Sequence, residues 1–176
     1  MSWIERLRAG VEWSQSRGEV DWPAVESLLE VRLPDSYKEY SEAFGWGEFN
    51  GAIEVFGAVA DFSDGGIVGE VKKRSELSEI DHEFSAMYAP YSIFPNSGGL
   101  LIWGVTGRGD ALFWDTRNSG AADWPIVAFL DDGRYFSYEM EVSEFLFGCV
   151  VTGGIESFNA VSRGYGTGFM PISSYE

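Results

Sequence analysis

At 176 residues the chain is long enough for one domain with a sizeable core, because folded chains near this size bury roughly 70% of the surface that unfolding exposes. An apolar fraction of 45% and an aromatic fraction of 16% exclude a disordered or linker-like chain. With 28 acidic against 12 basic residues and a formal net charge of −16, the chain would be repelled by nucleic acid and by anionic membrane, both of which are normally engaged through Lys/Arg patches.

The acidity suits basic partners, and it also serves solubility. It is spread along the chain: residues 1–90 carry 18 acidic and 8 basic groups, and residues 91–176 carry 10 and 4, so no acidic tail stands apart. No run approaches the roughly 18 consecutive apolar residues of a membrane span. The stretch MSWIERLRAG carries charges where a secretory signal has a bare apolar segment, which points to the cytosol. The single cysteine, Cys149, has no internal partner for a disulfide, in keeping with a reducing compartment.

Ser2-Trp3-Ile4-Glu5 matches a capping box, and Trp3, Ile4, Leu7 and Val11 follow at helical spacing. This predicts a first helix within residues 2–17. Asp21 caps a second helix with Pro23 in its first turn, where a missing N–H costs nothing, and Trp22, Val25, Leu28 and Leu29 form its apolar face. Leu33 precedes a proline and is therefore extended, so a third helix starts near Pro34 or Asp35, buries Tyr37, Tyr40 and Phe44, and stops at Gly45.

The stretch GWGEFNG follows. A phosphate cradle has a helix beginning behind its glycines and a cation beside them. Here the helix lies before the glycines, Glu48 sits inside the loop, and the nearest basic residues are Lys38 and Lys72. The stretch reads as a chain reversal. Ala52–Gly57 and Val59–Phe62 read as short strands. Residues 75–88 read as a helix with Leu77, Ile80, Phe84 and Met87 on one side, closed by Pro90. The period then changes: Leu100–Val105, Ala111–Asp115, Ile126–Leu130 and Tyr135–Tyr138 are apolar or aromatic runs separated by turn residues, as in an antiparallel meander. Ser143 caps a last helix through Phe145, Leu146, Cys149 and Val150, ended by Gly153 and Gly154. The rest is glycine- and serine-rich and reads as irregular. Helices, then strands, then a helix describe one α+β domain with helices packed on an antiparallel sheet.

Chemistry-bearing motifs are sparse. His82, the one histidine, lies among acidic neighbours in SEIDHEF, where a solvated helix face accounts for it better than a triad. Cys149 falls at an apolar position, which favours a buried thiol over a nucleophile. One Cys and one His cannot make a zinc site, and DFSDGGIVGE resembles a calcium loop only faintly. No metal and no cofactor is expected. Carboxylate pairs occur by chance among 28 acids, and no spacing singles one out. Asp131-Asp132-Gly133 reads as a hairpin turn and Arg108-Gly109-Asp110 as a turn between strands. The strand aromatics are mostly core, and those left facing outward beside acids suit a protein partner.

The segment VESLLEVRLPDSYKEYSEAFGWGEFNG resembles the start of the SMI1/KNR4, or SUKH, superfamily, with its amphipathic helix, Leu-Pro, tyrosine-bearing helix and glycine turn. GDALFWDTRNSGAADWPIVAFL and SEFLFGCVVTG resemble its later portion. The likeness spans residues 21–153, leaving the N-terminal helix and the tail from 154 as additions to a single domain of 1–176. It implies an α+β fold in which Leu33, Pro34, Tyr37, Gly45, Gly47, Gly51, Trp114 and Asp115 shape the structure and do not react. It also implies a bacterial immunity protein that neutralises a cognate toxin by binding it, or, as in the fungal branch, an interaction scaffold with no toxin partner. Nine arginines against three lysines suit a high-GC bacterial genome. A basic toxin domain would meet loop carboxylates Asp61, Asp64, Asp110, Asp131 and Asp132, with Trp46 and Trp124 as anchors. A carboxylate-dependent hydrolase is the remaining alternative, and it requires two acids converging in one pocket.

Overall fold

In the computed structural model, which describes residues 1–118, 120–155, 158 and 168–173, the strand runs assemble into one antiparallel sheet. Its strands are β1 (Gly47–Phe49), β2 (Ile53–Val55), β3 (Leu100–Thr106), β4 (Ala111–Asp115), β5 (Ile126–Phe129), β6 (Tyr135–Tyr138) and β7 (Phe169–Pro171), in the order β6-β5-β4-β3-β2-β1-β7. The helices are α1 (Trp3–Gly10), α2 (Trp22–Leu29), α3 (Asp35–Ala43), α4 (Ile67–Ile80), α5 (His82–Met87) and α6 (Val142–Phe147). This is the α+β architecture read from the sequence.

Alternation along the strands sends Phe49, Ile53, Leu112, Trp114, Ile126 and Ala128 to one face, all buried. Helices α3 and α6 cover that face. Tyr37 of α3 meets the Trp114 ring at 5.2 Å, and Phe145 of α6 meets Trp103 at 6.0 Å. Trp103 occupies the register shift between Ile102 and Gly104, and its ring lies against Trp114 at 5.9 Å. On the opposite face, Tyr88, which closes α5, packs on Phe113 and Phe129 at 5.2 and 5.1 Å. Each fully buried ring contributes about 1.5–3 kcal/mol of transfer free energy. The Tyr37 hydroxyl donates to the Phe56 carbonyl at 2.7 Å, so its burial leaves no orphan donor.

Local chemistry sets most boundaries. The Ser2–Glu5 capping box forms, and Asp21 accepts from the Ala24 N–H at 3.1 Å. Helix α1 ends at Gly10, short of the expected 17, because the Arg8 guanidinium gathers the carbonyls of Trp13, Ser14 and Gln15 into a non-helical turn and Glu12 takes φ +54°. Leu28, read as part of the apolar face of α2, is exposed.

The expected helix over 75–88 is corrected. Helix α4 begins at Ile67 and buries Ile67, Val68 and Val71, whereas Ile80 and Met87 are 81% and 64% exposed. Asp81 is extended, and its carboxylate accepts from the N–H groups of Glu83 and Phe84, which ends one helix and caps the next. Residues 59–62 form no strand. The last helix is entered through Glu141, not Ser143; Ser143 is buried in its first turn, and the helix continues as a π turn over Gly148–Thr152.

The glycine stretch hides a strand. Within it Gly47–Phe49 is β1, and a hairpin at Asn50 and Gly51 leads to β2, with Phe49 opposite Ile53. Both turn residues take positive φ, +55° and +63°, which a type I′ turn requires and which asparagine and glycine tolerate best. The glycine- and serine-rich tail, expected to be irregular, contributes a strand. Residues 156–157, 159–167 and 174–176 lie outside the described residues, but Phe169–Pro171 pairs with β1 as an edge strand. Asn50 secures it: its Nδ2 donates to the Val150 carbonyl at 3.1 Å, its Oδ1 accepts from the Gly168 N–H at 2.7 Å, and its own N–H donates to the Gly168 carbonyl at 3.0 Å.

Replacing Asn50 with Ala removes one buried and one part-buried side-chain hydrogen bond and puts a Cβ-bearing residue without a local polar partner at positive φ. The expected loss is about 2–4 kcal/mol in urea unfolding. Asn50→Gly keeps the turn conformation and should lose less.

Candidate partner-binding surface

The hairpin registers decide which loops lie together. Ile53 faces Thr106 and Ala111 faces Phe129, so the turns after β1, β3 and β5 open at one end of the sheet. Gly47 faces Val55 and Trp114 faces Ile126, so Trp46, the loop after β2 and the β4–β5 connection occupy the other end. The seven residues singled out from the sequence are divided between these two ends.

At the first end, Asp110, Asp131 and Asp132 converge, but with different duties. Asp110 is only 2% exposed. Its Oδ2 accepts from the Thr106 hydroxyl at 2.8 Å and from Arg108 at 3.2 Å, and its Oδ1 accepts from the Asp131 N–H at 3.1 Å. It joins two turns and is not a surface carboxylate, which corrects the expectation drawn from its loop position. Asp131 and Asp132 are exposed and border a cleft of about 420 Å³ floored by Met87, Tyr88 and Phe129. The Arg134 side chain and N–H both donate to Asp132 and hold its carboxyl below the usual carboxylate range.

At the other end Trp46 stands between two clefts of about 750 and 700 Å³, which share Trp46, Ser63, Asp64 and Gly65. The indole N–H donates to Glu54 Oε1 at 2.8 Å. The ring plane needs Gly65: a Cβ there would come within 2.2 Å of Trp46 Cζ2, and Gly65 has φ +82°. Asp61 is exposed two residues before Ser63, whose hydroxyl and N–H donate to it and lower its pKa. Asp64 is exposed on the shared wall. Trp46, Asp64 and Asp61 therefore form one neighbourhood.

Trp124, at the same end in the β4–β5 connection, lines a different cleft. It is 8% exposed, its indole N–H donates to the Asn118 carbonyl at 3.1 Å, and it lies with Trp114, Pro34, Asp35, Glu139 and Glu141 around a cleft of about 440 Å³. It is part of a wall and not a projecting anchor. The carboxyl of Glu141, on the exposed rim of the cleft, is pushed above the usual carboxylate range by partial desolvation and by the nearby Glu39 and Glu144. Glu139, Glu141 and the Glu48–Glu54 pair, which face each other directly across β1 and β2, were not singled out from sequence. The alternation GEF-NG-AIE around the hairpin was the signal for the second pair.

The remaining candidates are placed as follows. His82 is exposed in the first turn of α5. Cys149 is buried, which pushes its thiol well up. Leu33, Pro34, Tyr37 and Trp114 are buried; Asp115 is buried against the Arg117 guanidinium, and Gly45, Gly47 and Gly51 sit at the end of α3, in β1 and in its turn. No helix among the described residues is long and apolar enough to cross a membrane.

The model of the family described as SMI1-KNR4 cell-wall matches residues 19–146. That range runs from before α2 into α6 and leaves α1 and β7 outside it. No curated protein and no solved structure matches the chain.

Gly65→Ala should destabilise by about 1–2 kcal/mol from the positive φ alone, with a further loss from the displaced indole. Thermal denaturation of Gly65→Ala, Trp46→Ala and the double variant should show the second loss disappearing when Trp46 is absent. Ionised Glu141 opposes folding, because its folded pKa lies above the unfolded value and the native state binds more protons between the two. Glu141→Gln should therefore raise the melting temperature at pH 7, with the gain shrinking as pH falls through the raised carboxylate pKa.

Proposed function

The chain belongs to the SMI1/KNR4 (SUKH) superfamily, and from that membership we propose that it is a non-catalytic, cytosolic immunity protein. It binds and neutralises a cognate toxin domain of a polymorphic or contact-dependent toxin system. The observation that carries this reading is the family match, which covers most of the sheet and its helices. Electrostatics support it. A net charge of −16, with Asp61, Asp64, Asp131 and Asp132 exposed on loops, suits a basic toxin whose groove is built for phosphate. Opposite charges steer such encounters to on the order of 10⁸–10⁹ M⁻¹s⁻¹ at low salt.

The hydrolase alternative has one observation in its favour, since Glu139 and Glu141 share the cleft beside Trp124. Steady product release by the purified chain, lost in Glu139→Gln with Glu141→Gln, would replace binding with catalysis. The scaffold alternative is separated by gene order, because a toxin gene adjoins an immunity gene.

Co-expression with the product of the adjoining toxin gene should yield a co-purifying complex. Asp131→Lys with Asp132→Lys should slow its association roughly 3–10-fold at low ionic strength and flatten the salt dependence. Failure to capture the toxin with the unmodified chain removes the immunity reading. Unchanged rates and salt dependence in the charge-reversed variant exclude this rim as the contact.

A further inference from the structure

Among the described residues, strand β6 ends the sheet and pairs with β5 on one side only. The Leu130 N–H donates to the Arg134 carbonyl at 2.8 Å, which makes these residues a hydrogen-bonded pair. Antiparallel pairs alternate, so Phe129–Tyr135 and Val127–Ser137 are non-hydrogen-bonded pairs, and the N–H and C=O groups of Tyr135 and Ser137 point away from β5. Both residues are exposed, Tyr135 by 41%. An edge of this kind is ordinarily blunted by lysine, proline, a bulge or an inward-pointing charge. The sequence YFSY has none of these, and its four pairings to β5 run without a register break. The opposite edge, β7, is shorter and carries Pro171.

The surroundings of the edge say what would fit. The Tyr135 ring stacks on Phe129 at 5.0 Å and meets Tyr91 at 5.6 Å on one face, while Tyr138 packs on Phe145 at 5.2 Å on the other. Asp131 and Asp132 stand at the start of the strand and Glu139 and Glu141 at its end. Arg134 is the one base in residues 131–141, and Asp132 holds it at 2.7 Å. A second copy of the chain would bring the same carboxylates and another −16 to this edge, so like-charge repulsion disfavours self-pairing.

We propose that the outer edge of β6 receives an extended basic segment of a protein partner, which joins the sheet as an added strand. Tyr135 and Ser137 supply the backbone hydrogen bonds. The rings on both faces receive alternate side chains, and the carboxylates at the two ends select lysine or arginine. This deepens the partner-binding reading and rests on it.

The probe is a fluorescein-labelled octapeptide of alternating lysine and valine, with a glutamate–valine octapeptide as counterpart, titrated against the full chain by anisotropy. Ser137→Pro deletes an outward N–H at an edge position where proline is tolerated, and Ser137→Ala leaves that N–H in place. The basic peptide should bind the unmodified chain, about tenfold more weakly in Ser137→Pro, and within about twofold of the unmodified chain in Ser137→Ala; the acidic peptide should bind at least about tenfold more weakly than the basic one. Amide exchange at Tyr135 and Ser137 should slow by about tenfold or more in the complex. Thermal unfolding checks the fold, and Tyr135→Lys, which puts a charge on the edge, replaces the proline variant if that variant does not fold.

No binding of the basic peptide, equal binding to Ser137→Pro, or unslowed exchange at the two amides overturns the proposal. So does self-association of the chain that protects the same amides, which would make a second copy the occupant. Equal capture of the toxin by the unmodified chain and by Ser137→Pro overturns the edge and leaves the immunity reading intact. If the unmodified chain captures no toxin, the immunity reading fails and the peptide titration still decides the edge.

Discussion

Aromatic rings in van der Waals contact run across the sheet from one edge strand to the other. Phe169 on β7 meets Phe44 at 4.9 Å, Phe44 meets Tyr40 at 5.3 Å, and Tyr40 meets Tyr37 at 6.3 Å. Tyr37 meets Trp114, Trp114 meets Trp103, Trp103 meets Phe145, and Phe145 meets Tyr138 on β6. Pairs of this kind add about 0.5–1.5 kcal/mol each beyond the area they bury. Three of the rings come from α3 or its C-terminal end and one from α6, so the line holds the helical layer to the sheet and sets how the strands are carried.

That line fixes one face and frees the rest. The fully buried rings along it cannot be offered to a partner, which is why Trp114, and Trp124 beside it, make walls and not knobs. Among the described residues, the loop carboxylates, the clefts on either side of Trp46 and the edge of β6 stay accessible. The acidic excess is arranged accordingly. Asp110 and Asp115 are buried with cationic and hydroxyl partners or a cationic one alone, while Asp61, Asp64, Asp131 and Asp132 face solvent. Two aspartates at the same end of the sheet, Asp110 in the β3–β4 turn and Asp131 in the β5–β6 turn, thus serve opposite purposes although they are joined by a hydrogen bond.

Particular residues show where sequence reasoning reached and where it stopped. Caps and prolines act on their own neighbours, so Ser2, Asp21 and Pro34 could be placed directly, and so could Ala111–Asp115 and Tyr135–Tyr138, whose period of two is a local property. The helix over 75–88 failed because Leu77, Ile80, Phe84 and Met87 have helical spacing but face solvent in part, while α4 is anchored by Ile67, Val68 and Val71 at its start. Strand β7 was illegible because three residues have no period. It is a strand only because β1 offers an edge and Asn50 binds the chain beside it. The candidate site was legible as residue types on loops, and two of its seven members turned out to be buried.

The sequence by itself determined the fold class, the family and the sign of the charge, since these rest on local periodicity, capping and composition. Only the tertiary structure decided which acids are spent inside, which loops share an end of the sheet, and that β6 is, among the described residues, an edge strand. The physical reason is that exposure and edge position are properties of strand order and register, formed by contacts between residues far apart in the chain, and no local pattern carries them.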